Sequence, residues 1–520
     1  MTQTTQLRHP PVSRNTIGDA LRRSVARAPQ KEALIFGARR WTYGQLDAAA
    51  NRVAAALLEA GLRPGDRVGA FGRNSDAYVL LWLACVRGGL VHVPINYALG
   101  EEEFEYIVSQ SKAAALFFDP SLAALVDKVR PRLDLRVSGS FFDGTGLDVL
   151  TAALRQTEAP EPAVPVDDDD LAQFLYTSGT TAAPKGAMMT HRALLAEYMS
   201  CLVELDHKSD DVQLAALPLY HSAQMHVFLM PALLVGATIV LIQAPAADEC
   251  LRLIGEQKIT SFFAPPTVWI SLLRHPAFDH SDLSSLAKAY YGASIMPVPV
   301  LQELRHRLPK VGVYNCYGQS EISPLATVLR PEEHEARPAS AGRPVLNVET
   351  RVVDHAMNDM PPGQQGEIVH RSPQLLVGYW DKSEQTDEAF AGGWFHSGDV
   401  GYFDEGGYLY IVDRIKDIIN TGGVVVSSRE VEEALFSHPA VSEVAVVALP
   451  DAKWIEAVAA VVVLKVGQQA TAEELIEHAR RHLAPFKLPK KVVFVESLPR
   501  NTAGKILKRQ LRQEFPEGAS

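Results

Sequence analysis

Two apolar periodicities alternate along the first half of the chain. A helical period runs from Leu46 to Leu58. Thr42 and Gln45 open it as a capping-box signature, and Gly61 supplies a stop. Strand-like Arg67 to Phe71 follows, then a helical run over 77–86 and a second strand over 90–94. Repeated strand–helix–strand units predict an α/β protein, a large N-terminal domain of parallel-rich sheets layered with helices. The stretch 158–165 is rich in Pro, Glu and Ala and predicts a loop, after which Leu171 to Tyr176 reads as a strand. Strand-like 408–412 ends in the charged run Asp413-Arg414-Ile415-Lys416-Asp417. Beyond it the spacing predicts a helix over 429–436 and strands over 443–448 and 457–464. Thr471 and Glu474 cap a further helix to His482, and a last strand covers 491–495. The expected division is a large domain over 1–412, a connector over 413–418 and a small α+β domain over 419–520.

Composition narrows the class. A chain of 520 residues is too long for one ordinary core, and 47% hydrophobic with 21% charged residues is an ordinary globular balance. The net charge of -11, with no long basic run, argues against nucleic acid as the main partner. The four cysteines, Cys85, Cys201, Cys250 and Cys316, are scattered and suggest neither a disulfide scaffold nor a zinc site. The N-terminus lacks the apolar core of a signal peptide. The most apolar stretch, 227–242, carries Pro231 and Gly236 and falls short of the roughly 20 residues a membrane span needs, so it reads as buried core. The expectation is a soluble cytoplasmic protein with no integral membrane segment.

The chemistry is concentrated at Thr177-Ser178-Gly179-Thr180-Thr181-Ala182-Ala183-Pro184-Lys185-Gly186. Glycine lets a ligand approach the backbone, successive amides in a tight turn make a concave anion site, and hydroxyls and a lysine add donors. This is the chemistry of a polyphosphate cradle. Pro184 and Gly186 stand where a Walker A loop needs glycine and Ser or Thr, so it is not that loop. Four later segments are weak alone and informative in order: Gly292-Ala293-Ser294, Tyr317-Gly318-Gln319-Ser320-Glu321, Ser397-Gly398-Asp399 and Gly504-Lys505-Ile506.

In that order the segments resemble the adenylate-forming superfamily of acyl-CoA synthetases, luciferases and adenylation domains, over residues 15 to 515, and the acyl-CoA synthetase branch in particular. The resemblance implies a two-step enzyme, in which a carboxylic acid and ATP give an acyl-adenylate and CoA then gives the thioester. It places Thr177 to Ala182 and Lys185 on the phosphates and Thr180 and Glu321 at Mg2+. Gly292, Ala293, Ser294, Tyr317, Gly318, Gln319 and Ser320 fall around adenine, and Asp399 and Arg414 at the ribose. It makes Lys416 the hinge that lets the C-terminal domain rotate, and Lys505 the lysine that bridges the carboxylate and the α-phosphate. Gly422, Gly423 and Val424 fall on the CoA tunnel. His221 falls beside the acyl group, with Tyr220, Gln224, Met225 and Cys316 as pocket candidates for a fatty, aromatic or polycyclic acid. A homodimer stays open.

Three departures from the family pattern qualify this. Ala182 replaces a phosphate-loop glycine, which bears on the first step alone. Where the family commonly has Glu-Asn-Ile-x-Pro after its Gly-Gly, this chain has Val424-Val425-Val426-Ser427-Ser428, with β-branched apolar residues in place of polar groups, and Ile455 replaces the glycine of Trp-Gly-Glu. The alternatives are a ligase that takes acyl-AMP from a separate adenylating enzyme, a fatty-acyl-AMP ligase that loads a carrier protein, and a luciferase-like oxygenase.

Overall fold

The computed structural model describes residues 13–144, 146–158, 160–177, 183–294, 296–421, 424–451, 454–500 and 506–515. The Thr42–Gln45 capping box forms, with Gln45 N–H donating to Thr42 Oγ1 and Thr42 N–H to Gln45 Oε1, and the helix it opens spans Tyr43–Glu59. The next helix, Asp76–Arg87, is buried at every position, because it lies inside the largest apolar cluster against Tyr43–Glu59.

Two large sheets form the N-terminal domain. In the seven-stranded sheet the order is Leu147–Asp148, Val137–Ser140, Ala113–Phe118, Arg67–Phe71, Val91–Ile95, Leu171–Thr177, Lys185–Thr190. Its strands are parallel up to Leu171–Thr177, which pairs antiparallel with Lys185–Thr190. The phosphate-loop run therefore spans a hairpin at the carboxyl end of a parallel strand, where α/β sheets gather ligands. The nine-stranded sheet has a parallel core of Glu32–Phe36, Thr238–Leu241, Val212–Ala215, Ser261–Phe263, Lys288–Gly292 and Gly312–Gly318, with antiparallel strands at both edges. The apolar 227–242 stretch is buried core as expected, though divided into a π-helical segment Ala223–Leu229, a helix Met230–Val235 and a strand Thr238–Leu241. Among the described residues no helix is long and apolar enough to cross a membrane.

A four-stranded antiparallel sheet follows, Glu349–Val353, Gly366–Arg371, Phe395–Phe403 and Leu409–Arg414. Its last strand runs on through Asp413 and Arg414 because Arg414 stays in register with Asp399. The small C-terminal domain holds a five-stranded sheet around the long pair Val441–Asp451 and Ile455–Leu464. Helices Ser428–Phe436 and Ala472–Arg480 pack on it over their own core of Val431, Leu435, Val446, Val458 and Leu475. The second capping box, Thr471 with Glu474, is present.

Candidate active site

The hairpin of Leu171–Thr177 with Lys185–Thr190 and the Glu321 turn meet in one place. Thr177 and Lys185 are register partners at the hairpin's open end. Thr177 Oγ1 donates to Glu321 Oε1 at 3.0 Å, and the Tyr379 hydroxyl donates to the same oxygen at 3.2 Å. The Lys185 ammonium stands 4.9 Å from the centre of the Tyr379 ring. Glu321 sits on the single turn Ser320–Ile322, is 9% exposed, and its backbone carbonyl accepts from Leu376 N–H at 2.9 Å. The segment containing Tyr379 runs beside the hairpin, with Trp380 N–H donating to the Gly186 carbonyl. Burial, reinforced by the Glu321 carboxylate, holds the Tyr379 phenol above its ordinary range, so it stays a donor. Ser178, Gly179, Thr180, Thr181 and Ala182 lie outside the described residues.

The second cluster centres on Asp399. Asp399 Oδ2 accepts from the Tyr317 hydroxyl at 2.7 Å, and Asp399 Oδ1 pairs with Arg414 Nε at 3.0 Å. Asp399 N–H donates to Ser397 Oγ at 3.0 Å, which ties down the backbone at this residue. Burial and the adjoining Asp399 push the Tyr317 phenol well up, and the same carboxylate holds the Arg414 guanidinium raised. Each carboxylate oxygen keeps a second lone pair, so two vicinal hydroxyls remain within the chemistry of this group. At the adjoining strand ends Gly292 pairs with Cys316, and a Cβ on Gly292 would lie 2.3 Å from the Cys316 carbonyl oxygen. Ala293 has φ +62°, a left-handed conformation unusual outside glycine and frequent at ligand sites. Gln319 keeps its amide Nε2 buried without a partner, and Ser320 Oγ bonds Ser222 Oγ at 2.8 Å. Ser294 and Gly318 adjoin these residues in the chain.

The family model described as AMP-binding enzyme matches residues 21–380, and that described as AMP-binding enzyme C-terminal domain matches 430–505. The chain belongs to the AMP-binding enzyme family. Its class within that adenylate-forming group is the acyl-CoA synthetase branch, the carboxylic acid–CoA ligases. It is 36% identical over 493 residues to a feruloyl-CoA synthase of an Amycolatopsis species, covering 95% of this chain and 98% of that one. It is 34% identical over 503 residues to the long-chain-fatty-acid–CoA ligase FadD13 of Mycobacterium tuberculosis, covering 96% and 98%. The crystal structure of the anthranilate CoA ligase AuaEII with anthranoyl-AMP superposes with a TM-score of 0.90 at 28% identity, covering 97% of this chain and 98% of that one.

Within this AMP-binding enzyme the residues expected beside the acyl group are spread over two adjoining cores. Met225 is fully buried in the largest cluster, against which Tyr220 packs, whereas Cys316 belongs to a cluster with Leu217 and Phe228. Gln224 is fully buried; its Oε1 accepts from Leu217 N–H at 3.2 Å and its Nε2 has no partner. The Tyr220 hydroxyl is likewise unpartnered, its ring edge-on to Tyr97 at 5.7 Å. His221 Nδ1 accepts from Ala223 N–H at 3.3 Å. Of the residues expected on the CoA tunnel, Val424 is 43% exposed, while Gly422 and Gly423 lie outside the described residues, as does Lys505. Ile455 is 65% exposed with φ +68°, so a β-branched residue occupies a conformation in which the family's glycine is unstrained. Lys416 lies in the turn after Arg414, closed by Asp417 and Ile418 N–H groups donating to the Arg414 carbonyl.

Motif reading missed several residues. Tyr379 carries no motif, and only the fold brings it to Glu321. Glu197 is fully buried and accepts from Leu325 N–H at 3.0 Å and Gln374 Nε2 at 2.6 Å, and Gln374 also donates to the Ile322 carbonyl. Burial pushes the Glu197 carboxyl well up. These two side chains brace the residues that follow Glu321. A glutamate beside Leu194, Leu195 and Tyr198 on an apolar helix face was the available signal.

Proposed function

We propose that this enzyme is a complete two-step synthetase in which one nucleotide site serves both half-reactions and Ala182 makes adenylation the slower one. The observation that carries the reading is the assembled pair of constellations, Thr177–Glu321–Tyr379 with Lys185 and Tyr317–Asp399–Arg414. The first suits a polyphosphate and the second a ribose, and both are intact.

In the first step a carboxylate oxygen attacks the α-phosphorus of ATP, the Pα–O bond to pyrophosphate breaks, and acyl-AMP forms. Lys185 and the loop amides would hold the departing pyrophosphate, and Lys505 would stabilise charge between carboxylate and α-phosphate. Glu321 is a hard oxygen donor at the mouth of the phosphate hairpin, and Mg2+ is commonly held by one or two carboxylates plus substrate phosphates, so the residues fit that ion. Thr180 would share it, and the ion when bound would neutralise phosphate charge. Tyr379 and Thr177 orient Glu321 by occupying Oε1. The C-terminal domain then turns about Lys416, withdrawing Lys505. The CoA thiolate attacks the acyl carbon, the carbonyl–O bond to AMP breaks, and the thioester leaves. Asp399 and Arg414 hold the AMP ribose throughout.

The acid is apolar with an oxygen-bearing feature, a reading supported by the unpartnered Tyr220 hydroxyl and Gln224 amide among apolar neighbours. Ala182 favours a second reading, a ligase fed with acyl-AMP by another enzyme. Parallel assays separate them, one with acid, ATP, Mg2+ and CoA, the other with acyl-AMP and CoA. Thioester from both feeds is the expected result; product from acyl-AMP alone establishes the second reading and overturns the first.

A further inference from the structure

The segment that carries Gln224 and Met225 is wound differently from the helix that follows it. Residues Ala223–Leu229 form a π-helical turn, and Met230 N–H donates five residues back, to the Met225 carbonyl. Pro231 explains the change of winding, because it has no N–H to give the Val227 carbonyl four residues before it and its ring crowds that oxygen. His207 Nε2–H donates to that carbonyl instead, at 3.1 Å. His226, in the middle of the turn, is fully buried and bonded at both ring nitrogens. The Tyr198 hydroxyl donates to His226 Nδ1 at 2.8 Å, and His226 Nε2–H donates to Gln173 Oε1 at 2.6 Å. Gln173 Nε2 donates in turn to His92 Nδ1 at 3.0 Å. Burial lowers both imidazoles to about 3, so each is neutral and offers one donor and one acceptor. The Trp82 ring stands edge-on to both of them, at 5.4 and 5.5 Å. Gln173 lies on the strand that ends at Thr177, and Tyr198 on the helix His191–Glu204, so the turn is tied to two separate elements.

We propose that His226 is a positioning residue, which fixes the π turn against Gln173 and Tyr198 and thereby sets which acyl groups the enzyme accepts. The inference rests on the reading that places Gln224 and Met225 beside the acyl group. π turns are rare and cluster at functional sites. An apolar side chain would fill the same volume and leave the turn free to rewind as an α-helix, and a slip of one residue swings a side chain by about 100°. Bonds at both nitrogens hold the ring in one orientation, and a satisfied buried polar network specifies a single arrangement of the elements it joins. The polar chain from Tyr198 to Gln173 therefore does what apolar packing alone does not, which is to fix the phase of Gln224 and Met225.

Acyl selectivity tests it, measured with acyl-AMP and CoA so that the result does not depend on adenylation. The readout is the ratio of kcat/KM for a straight-chain and an aryl acyl-AMP, which share the nucleotide, in the parent, His226→Phe, Tyr198→Phe and His92→Phe. The ratio should change on the order of 10-fold in His226→Phe and by a smaller factor in Tyr198→Phe, which keeps the bond to Gln173. It should stay within about twofold in His92→Phe, which is as deeply buried but lies off the turn. Equal losses for both acyl-AMPs in His226→Phe, or the same change of ratio in His92→Phe, would show a general loosening of the core and overturn the proposal. Should His226→Phe fail to fold, Tyr198→Phe decides, and an unchanged ratio there overturns the proposal. Met225→Ala separates the proposal from the reading beneath it. A ratio altered in Met225→Ala and unaltered in His226→Phe overturns the proposal alone; a ratio unaltered in Met225→Ala overturns the acyl-side reading and the proposal with it.

Discussion

Replacing Asp399 by Asn tests the ribose site with little change of shape. In the parent its two oxygens receive the Tyr317 hydroxyl at 2.7 Å and Arg414 Nε at 3.0 Å, and the residue is 4% exposed. An amide turns one oxygen into a donor and removes the charge, so Arg414 Nε and the Tyr317 hydroxyl no longer meet a carboxylate whichever way it faces. A hydrogen bond to a charged group contributes about 1.5–3 kcal/mol. Both acyl-AMP and ATP carry the ribose, so this predicts kcat/KM lower by on the order of 10- to 100-fold in both feeds, at roughly 1.4 kcal/mol per tenfold. The assay is thioester formation against nucleotide concentration for each feed, with circular dichroism confirming the fold. A change below about twofold, or a loss confined to one feed, would refute the assignment of Asp399 to the ribose.

Other sites give sharper directional tests. Ala182→Gly should raise acid-dependent pyrophosphate release up to about tenfold without altering the acyl-AMP feed, the gain expected if the family's glycine at this position needs a positive φ, where alanine costs roughly 1–2 kcal/mol; no gain would show that the methyl is tolerated. Ile455→Gly relieves the φ +68° strain and should stabilise the C-terminal domain by about 1 kcal/mol in denaturant melts; destabilisation would contradict that. Burial lowers His191, His207, His334 and His370 from 6.5 to about 4 in the folded chain. The unfolded chain therefore binds more protons between those values, so stability should fall as pH drops from about 6.5 to 4. A melting temperature that is flat from about pH 7 to 5 would contradict this.

What could be read from the chain was local or carried by motif. Both capping boxes formed because Thr42–Gln45 and Thr471–Glu474 satisfy their own amides without outside help. Strand Arg67–Phe71 matched residue for residue. Pairings set by the fold were invisible. Thr177 meets Glu321 across 144 positions, and Tyr379 arrives on a segment that only sheet packing lays beside the hairpin. The apolar stretch 227–242 showed burial but not the π-helical turn, because periodicity cannot separate helix types in an all-apolar run. The strain at Ile455 was foreshadowed by its departure from glycine, yet only the backbone angle gave it a physical meaning.

The central claim, that the acid's own oxygen attacks the α-phosphorus of ATP before CoA displaces AMP, is tested most directly with 18O-labelled acid. One label should appear in each AMP released with the thioester, and none in pyrophosphate. Unlabelled AMP, or label in pyrophosphate or inorganic phosphate, would contradict the account.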